Sequence, residues 1–354
     1  MAKENLESNG FDVELITYAP DEKELIEICA TDILHGEPYM QDGYVASGGT
    51  EANLQAIWIY RNYFINTFQA KREEVCIICN EDSHYSMDKA GNVLVLDIVK
   101  AKVSSDTREI TEASVREAVQ EARAQGKKYF IVVCNMMTTM FGSVDNVDHY
   151  VNVLNEADCE WKIHVDGAYG GFYYPFTVDH QKLSFKNPNI TSVTLDAHKM
   201  AQAPYGTGIF LIRKGFIQHA NTREASYVEG EDFTLIGSRS GANAIAVWMI
   251  LVKNGPFGWQ EKIFILQKRA EWMCNELKKL KIAFFRHPKS NILTIRSEHI
   301  DEETAHRFGL VPDNHESPNW YKIVIMEHVT IEKLIPLLDR IKESQPDLSS
   351  TYNV

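Results

Sequence analysis

The feature that most constrains this chain is an alternation. From about Tyr44 to Arg213, short apolar runs rich in β-branched residues take turns with amphipathic stretches of helical period. Tyr44–Ala46, Val75–Cys79, Val93–Val99, Tyr129–Asn135, Trp161–Val165, Ser192–Leu195 and Gly208–Arg213 read as strands. Glu51–Ala70, Ser86–Asn92, Ser114–Gln125 and Asp148–Ala157 read as helices. A run such as Tyr-Phe-Ile-Val-Val-Cys-Asn at 129–135 lacks the apolar–polar alternation of a half-solvated strand, so it belongs to a strand covered on both faces. Strands separated by helices are joined by crossovers, which makes the sheet mostly parallel with helices on either side. In such a sheet, ligand-binding residues collect at the carboxyl ends of the strands.

The pattern changes after Gly241. A helix over Ala242–Asn254 meets a turn at Gly255-Pro256, and a longer helix covers Gln260–Leu280. Strands at Ile292–Arg296 and Tyr321–Met326 bracket a charged helical stretch, and a last helix starts near Thr330. The expected organisation is α/β: an N-terminal arm over 1–40, with a helix at 21–36; a large domain over 41–255 built on the mostly parallel sheet; and a small α+β domain over 256–354.

A chain of 354 residues, 44% of them hydrophobic, buries a large core without disulfides or metal. Its 36 basic and 49 acidic residues give a net charge of −13, which argues against nucleic-acid or anionic-membrane partners. An anion site on such a chain must be local, made of backbone N–H groups and a few cations. The six cysteines are scattered. Cys76 and Cys79 have the spacing of a redox pair but lie in a strand, where they face opposite sides; redox pairs open helices. No apolar run reaches the length of a membrane span, no secretory pattern opens the chain, and no histidine cluster has metal-ligand spacing. A cytoplasmic protein with reduced thiols is the expectation.

Three strand ends carry chemistry. Ser47-Gly48-Gly49-Thr50-Glu51-Ala52-Asn53 lies between a strand and a long helix. Two glycines let backbone approach a ligand, and the N–H groups of the helix start, with the Thr50 hydroxyl, suit a phosphate. This is neither a Walker A loop nor GxGxxG, so a nucleotide is not the default ligand. His164-Val165-Asp166-Gly167-Ala168 puts a carboxylate at the end of a buried strand, where it needs a cationic or N–H partner. A protonated pyridine nitrogen is one, and Gly167 and Ala168 are small enough for a flat ring to lie against the backbone. Asp196-Ala197-His198-Lys199 supplies a lysine amine just past a third strand, able to form a Schiff base. Taken singly, each motif has an ordinary reading as a turn, a cap or a surface lysine. In this order they match what pyridoxal phosphate needs: a phosphate cradle, an anion for the ring nitrogen and an amine for the aldehyde.

The chain resembles the group II pyridoxal-phosphate-dependent amino acid decarboxylases of fold-type I, including histidine, serine and tyrosine/aspartate decarboxylases. The matching stretches are SGGTEAN at 47–53, EDSHYSMDKA at 81–90, TTMFGSVD at 138–145, HVDGAYGG at 164–171, DAHKM at 196–200, GSRSG at 237–241 and WYKIVIMEHVT at 320–330. The resemblance implies the fold-type I transferase fold and decarboxylation of an L-amino acid to an amine and carbon dioxide. It also implies roles. Lys199 attaches pyridoxal 5′-phosphate, Asp166 pairs with the ring nitrogen, Ala168 packs on one ring face and His84 stacks on the other. Gly49, Thr50 and His198 hold the phosphate, and Thr139 lines the pocket. Ser238 reaches the neighbouring protomer's phosphate, which makes the enzyme a homodimer with shared active sites.

The chain departs from the family pattern in three places. The cradle comes early, at Ser47, in a region where relatives carry part of the substrate pocket. Asn221–Phe233 is shorter than the mobile loop that brings a catalytic tyrosine in animal aromatic decarboxylases, and Tyr227 is the candidate for that work. Ser240-Gly241-Ala242 stands where histidine and serine decarboxylases carry Asn-Gly-His. The substrate side chain therefore stays open. So do two alternatives: a carbon–carbon lyase of the sphingosine-phosphate lyase type, suggested by Phe172 and Pro175-Phe176, and a non-catalytic relative that binds the cofactor. Arg296, in the strand Ile292–Arg296, is a candidate for a transaminase-like carboxylate clamp.

Overall fold

The computed structural model describes residues 22–157, 159–220 and 232–344. Seven strands form the larger sheet: β1 (Gln41–Ala46), β2 (Val75–Asn80), β3 (Asp97–Ala101), β4 (Tyr129–Asn135), β5 (Glu160–Gly167), β6 (Ile190–Asp196) and β7 (Gly208–Arg213). Their order is β1-β7-β6-β5-β4-β2-β3. The pairs from β6 through β3 are parallel, whereas β7 runs antiparallel to both β6 and β1. β7 alone opposes the common direction because no crossover helix separates it from β6. The carboxyl ends of β1, β2, β4, β5 and β6 thus share one edge of the sheet.

Five helices accompany these strands: α1 (Glu22–Ile28), which continues as a π-helical turn over Cys29–Ile33, α2 (Gly49–Phe68), α3 (Ser86–Leu94), α4 (Glu112–Ala124) and α5 (Val147–Glu156). Thr111 and Ser114 cap α4 reciprocally, and Asn146 caps α5 through the Asp148 N–H. The pleat divides the core in two. Cys76, Ile78, Phe130, Val132 and Cys134 pack with Val115 and Val119 of α4 and Val153 and Leu154 of α5. Val75, Ile77, Cys79, Ile131 and Val133 pack with Ala56, Ile57 and Phe64 of α2 and Met87 and Ala90 of α3. Burying each such Val, Ile or Phe contributes about 1.5–3 kcal/mol relative to leaving it in water. Cys76 and Cys79 lie on opposite faces, and burial pushes both thiols up to about 12, so they stay protonated.

The strand expected over Val93–Val99 begins later. Val93 and Leu94 close α3, Val95 caps it in the left-handed region with φ 55°, and β3 starts at Asp97. Leu94 faces the core, while Val93 and Val95 are exposed, so an apolar run here is a helix end rather than a buried strand.

The chain leaves this unit along α6 (Gly241–Lys279), broken where Gly255 adopts φ 61°, ψ 176° just before Pro256. A positive φ suits glycine, and proline suits the first turn of the helix that resumes after it. The second sheet contains β8 (Phe284–Phe285), β9 (Ile292–Arg296), β10 (Val311–Pro312) and β11 (Trp320–Val324), in the antiparallel order β10-β11-β9-β8. It is covered by the end of α6, by α7 (Glu302–Phe308) and by α8 (Ile331–Glu343). β8 and β10 have two residues each, too short to leave a period in the sequence. Lys322 on β11 donates to the Thr139 carbonyl at 2.9 Å, and the Trp259 indole donates to the Phe172 carbonyl at 2.9 Å. The second unit is thereby fastened to the loops at the carboxyl edge of the large sheet. No helix among the described residues is long and apolar enough to cross a membrane.

Candidate active site

The three motif-bearing strand ends meet. β1 hands over to α2 through Ser47-Gly48, with Gly48 at the helix cap position. The amino end of β7 presses on this turn, since a β-carbon on Gly208 would lie 2.5 Å from the Gly48 carbonyl carbon. A β-carbon on Gly49 would stand 2.9 Å from Asp196 Oδ2 and 3.0 Å from Ala168 Cβ. One glycine therefore touches the ends of both β5 and β6. The first-turn N–H groups of α2 have no intrahelical acceptor and remain available to an anion.

Lys199, Asp166, His84, Gly49, Thr50, Thr139, Ala168 and His198 all line one cavity of about 310 Å³. Asp166 takes an N–H from Ala168 at 3.1 Å and one from the Asn53 amide at 2.9 Å. Lys199 Nζ lies 3.3 Å from Asp196 Oδ2, and His198 Nε2 lies 3.5 Å from the same oxygen. Burial raises the Asp196 pKa, and the neighbouring Lys199 and His198 offset only part of that rise. Asp196 Oδ1 and His198 Nδ1 are buried with no hydrogen-bond partner among the described residues. His84 accepts on Nδ1 from the Ser86 N–H at 3.2 Å, with Ser86 Oγ at 2.9 Å. Burial lowers the His84 pKa against the pull of Asp166, so the ring is neutral near pH 7.

Ser238 is exposed and lies outside the lining of this cavity in the single chain. The neighbouring Arg239 pairs with Glu22, donates to the Val45 carbonyl at 3.4 Å and sits 4.8 Å from the Tyr44 ring centroid, all within its own chain. Tyr227 falls outside the described residues. Arg296 is not at the cavity: its guanidinium stacks 3.9 Å from the Trp320 ring centroid, in a separate cleft with Arg108 and Asp313. A strand position alone did not reveal that direction. Sequence reasoning assigned no role to Asp196, Asn53 or His164, although all three lie inside the motifs. Asp196 had a usable signal, an acidic residue ending a strand three positions before the lysine.

These residues fit pyridoxal phosphate. Gly49 leaves room where any side chain would collide, the first-turn N–H groups have no intrahelical acceptor, His198 Nδ1 has no hydrogen-bond partner among the described residues, a lysine amine faces the cavity, and a buried carboxylate is held by two N–H donors.

Comparison with known proteins agrees. Residues 23–293 match the model of the pyridoxal-dependent decarboxylase conserved domain. A tryptophan decarboxylase of Clostridium sporogenes is 50% identical over 318 residues, covering 90% of this chain and 76% of that protein. A probable L-tyrosine/L-aspartate decarboxylase of Methanosarcina acetivorans is 27% identical, over 85% of this chain and 75% of its own length. Among solved structures, the sphingosine-1-phosphate lyase of Burkholderia pseudomallei superposes with a TM-score of 0.78 at 21% identity, covering 91% of this chain and 76% of its own. The L-methionine decarboxylase of a Streptomyces species gives 0.76 at 20%, covering 92% and 85%. At these identities the two structures speak for the fold alone.

Proposed function

Because the chain belongs to the pyridoxal-dependent decarboxylases, and so releases carbon dioxide from an L-amino acid with pyridoxal phosphate as cofactor, we propose that its substrate is an aromatic amino acid of the tryptophan type. The observation that carries this reading is the 50% identity to a tryptophan decarboxylase over nine-tenths of the chain. The cavity supports it. Tyr85, Met137 and Tyr169 contribute apolar surface, and among the described lining residues the basic groups are His84, His198 and Lys199, all engaged in the cofactor reading. None is left over to pair with the side-chain carboxylate of aspartate or glutamate.

When bound, the cofactor supplies an aldehyde for Schiff-base attachment and a ring that accepts the electron pair of the breaking carbon–carbon bond. Lys199 would hold it covalently, its amine beside Asp196. Asp166 would pair with the ring nitrogen, Gly49, Thr50 and His198 would hold the phosphate, and Ala168 and His84 would line the ring's place, while Thr139 closes the wall where Lys322 donates to its carbonyl. A panel of L-amino acids assayed for amine tests the substrate. Tryptophan is expected to exceed aspartate and glutamate in kcat/KM by at least about tenfold, the scale set by one well-matched group in a pocket. A preference for aspartate or glutamate contradicts the reading.

The working form proposed is a cytoplasmic homodimer with two shared sites. Ile245, Met249 and Val252 share one face of α6 and are 39%, 58% and 52% exposed, and Tyr205, beside His198, is 89% exposed. Ser238, outside its own cavity, is free to reach a partner's phosphate. Subunit mixing tests this. Chains carrying Lys199→Ala and chains carrying Ser238→Asp, each inactive alone, are expected to regain turnover as a mixed dimer, because two-fold symmetry builds one intact site from the two good halves. Mixed dimers without recovered turnover place Ser238 outside the partner's site.

A further inference from the structure

Behind Asp166 runs a continuous chain of hydrogen bonds with a fixed direction. Asn53 Nδ2 lies 2.9 Å from Asp166 Oδ2 and 3.1 Å from Ser86 Oγ. An ionised carboxylate only accepts, so the Asn53 amide turns its NH₂ to Asp166 and its carbonyl away. That carbonyl oxygen is 2.9 Å from His164 Nε2, which must therefore carry a proton. A neutral imidazole has one N–H, so His164 Nδ1 accepts, and the Ser192 hydroxyl 2.7 Å away donates to it. Ser192 in turn accepts from the Tyr60 hydroxyl. Thr194 Oγ1, 3.2 Å from His164 Nε2, is a second acceptor for the same proton.

Asn53, Ser86, His164, Ser192, Thr194 and Tyr60 are each at most 1% exposed, so water cannot stand in for a lost partner. Burial also holds the His164 pKa down to about 4, which keeps its ring neutral and its single N–H committed. A proton on Asp166 Oδ2 directed at Asn53 would need this chain reversed: the Asn53 amide rotated and His164 in its other tautomer. The same amide serves a second branch. It donates to Ser86, which leaves the Ser86 hydroxyl proton for His84 Nδ1 and keeps the His84 proton on Nε2.

We propose that Asn53 and His164 are positioning residues that keep an N–H donor on Asp166 Oδ2 and so hold its carboxylate aimed at the ring nitrogen of the cofactor. They act through Asp166 and touch no reacting atom. The inference rests on the reading that Asp166 faces that nitrogen.

The test uses holoenzyme loaded with cofactor labelled at the ring nitrogen, read by nitrogen NMR, together with the cofactor dissociation constant. Asn53→Asp keeps the shape and turns the donor into an acceptor opposite Asp166. It is expected to move the resonance toward the unprotonated position and weaken cofactor binding by at least about tenfold, the scale of one charge-assisted hydrogen bond. His164→Leu is expected to move both in the same direction, and His164→Gln, which keeps an N–H near the Nε2 position, to restore them. If Asn53→Asp does not fold, the two His164 variants decide alone. Wild-type resonance and affinity in folded His164→Leu overturn the inference. Asp166→Asn separates the two levels. If it shifts the resonance while the Asn53 and His164 variants do not, the relay fails and the role of Asp166 stands. If Asp166→Asn leaves the resonance unmoved, the role of Asp166 itself fails.

Discussion

Lys199→Ala is expected to lower amine production by at least about 10³-fold, in line with removal of the central group of a covalent mechanism. The geometry makes the lysine hard to replace. Lys199 lies three residues past Asp196, the last residue of β6, and its Nζ sits 3.3 Å from the buried Asp196 carboxylate inside the cavity. Among the described residues, Lys199 is the lysine lining that cavity. Lys322 is nearby, but its ammonium is tied to the Thr139 carbonyl. The variant also strands Asp196, whose Oδ1 already lacks a partner, so cofactor affinity is expected to fall along with turnover. Borohydride reduction followed by absorbance reads attachment independently of turnover. Stoichiometric reduced phosphopyridoxyl-lysine in the variant would show that another amine carries the cofactor.

Asp166→Asn is expected to keep the fold and bind cofactor while kcat falls by about 10²–10³-fold, the cost of removing a preorganised electrostatic group. The substitution is isosteric, and the Asn53 N–H that reaches Asp166 Oδ2 at 2.9 Å can still donate, more weakly, to an amide oxygen, at the cost of the Ala168 N–H contact. What is lost is the anion. A ring nitrogen opposite a neutral amide gives up its proton, and the ring then draws electrons poorly from the breaking bond. The defect should fall on kcat more than on KM, because the charge matters most when the electron pair is delivered. Near-normal kcat in a folded variant would mean that Asp166 is a structural cap held by Ala168 and Asn53.

The large sheet was legible because its physics is local. Fully buried parallel strands appear as unbroken apolar runs, and Val75–Asn80 and Tyr129–Asn135 emerged within a residue of expectation. The strand ends were legible for the same reason: Asp166 and Lys199 stand where apolar runs stop. Short elements were not. Val93 and Leu94 are apolar yet helical, and nothing in a seven-residue run separates a helix end from an edge strand. Phe284–Phe285 and Val311–Pro312 pair only because β9 and β11 are already there. The site's supporting contacts were hidden by distance along the chain. Asn53 meets Asp166 across 113 positions, and Arg239 meets Glu22 across 217. Sequence spacing carries no record of such pairs. His164 and Asn53 looked like motif filler until the fold placed them back to back.

The cavity at the ends of β1, β5 and β6 is proposed to hold pyridoxal phosphate on Lys199. The most direct measurement is to reduce the holoenzyme with borohydride, digest it and locate the phosphopyridoxyl group by peptide mass spectrometry. The expected result is the group on Lys199, at one per chain. Finding it on a different lysine, or finding none on an enzyme that still releases carbon dioxide from its amino acid, would contradict it.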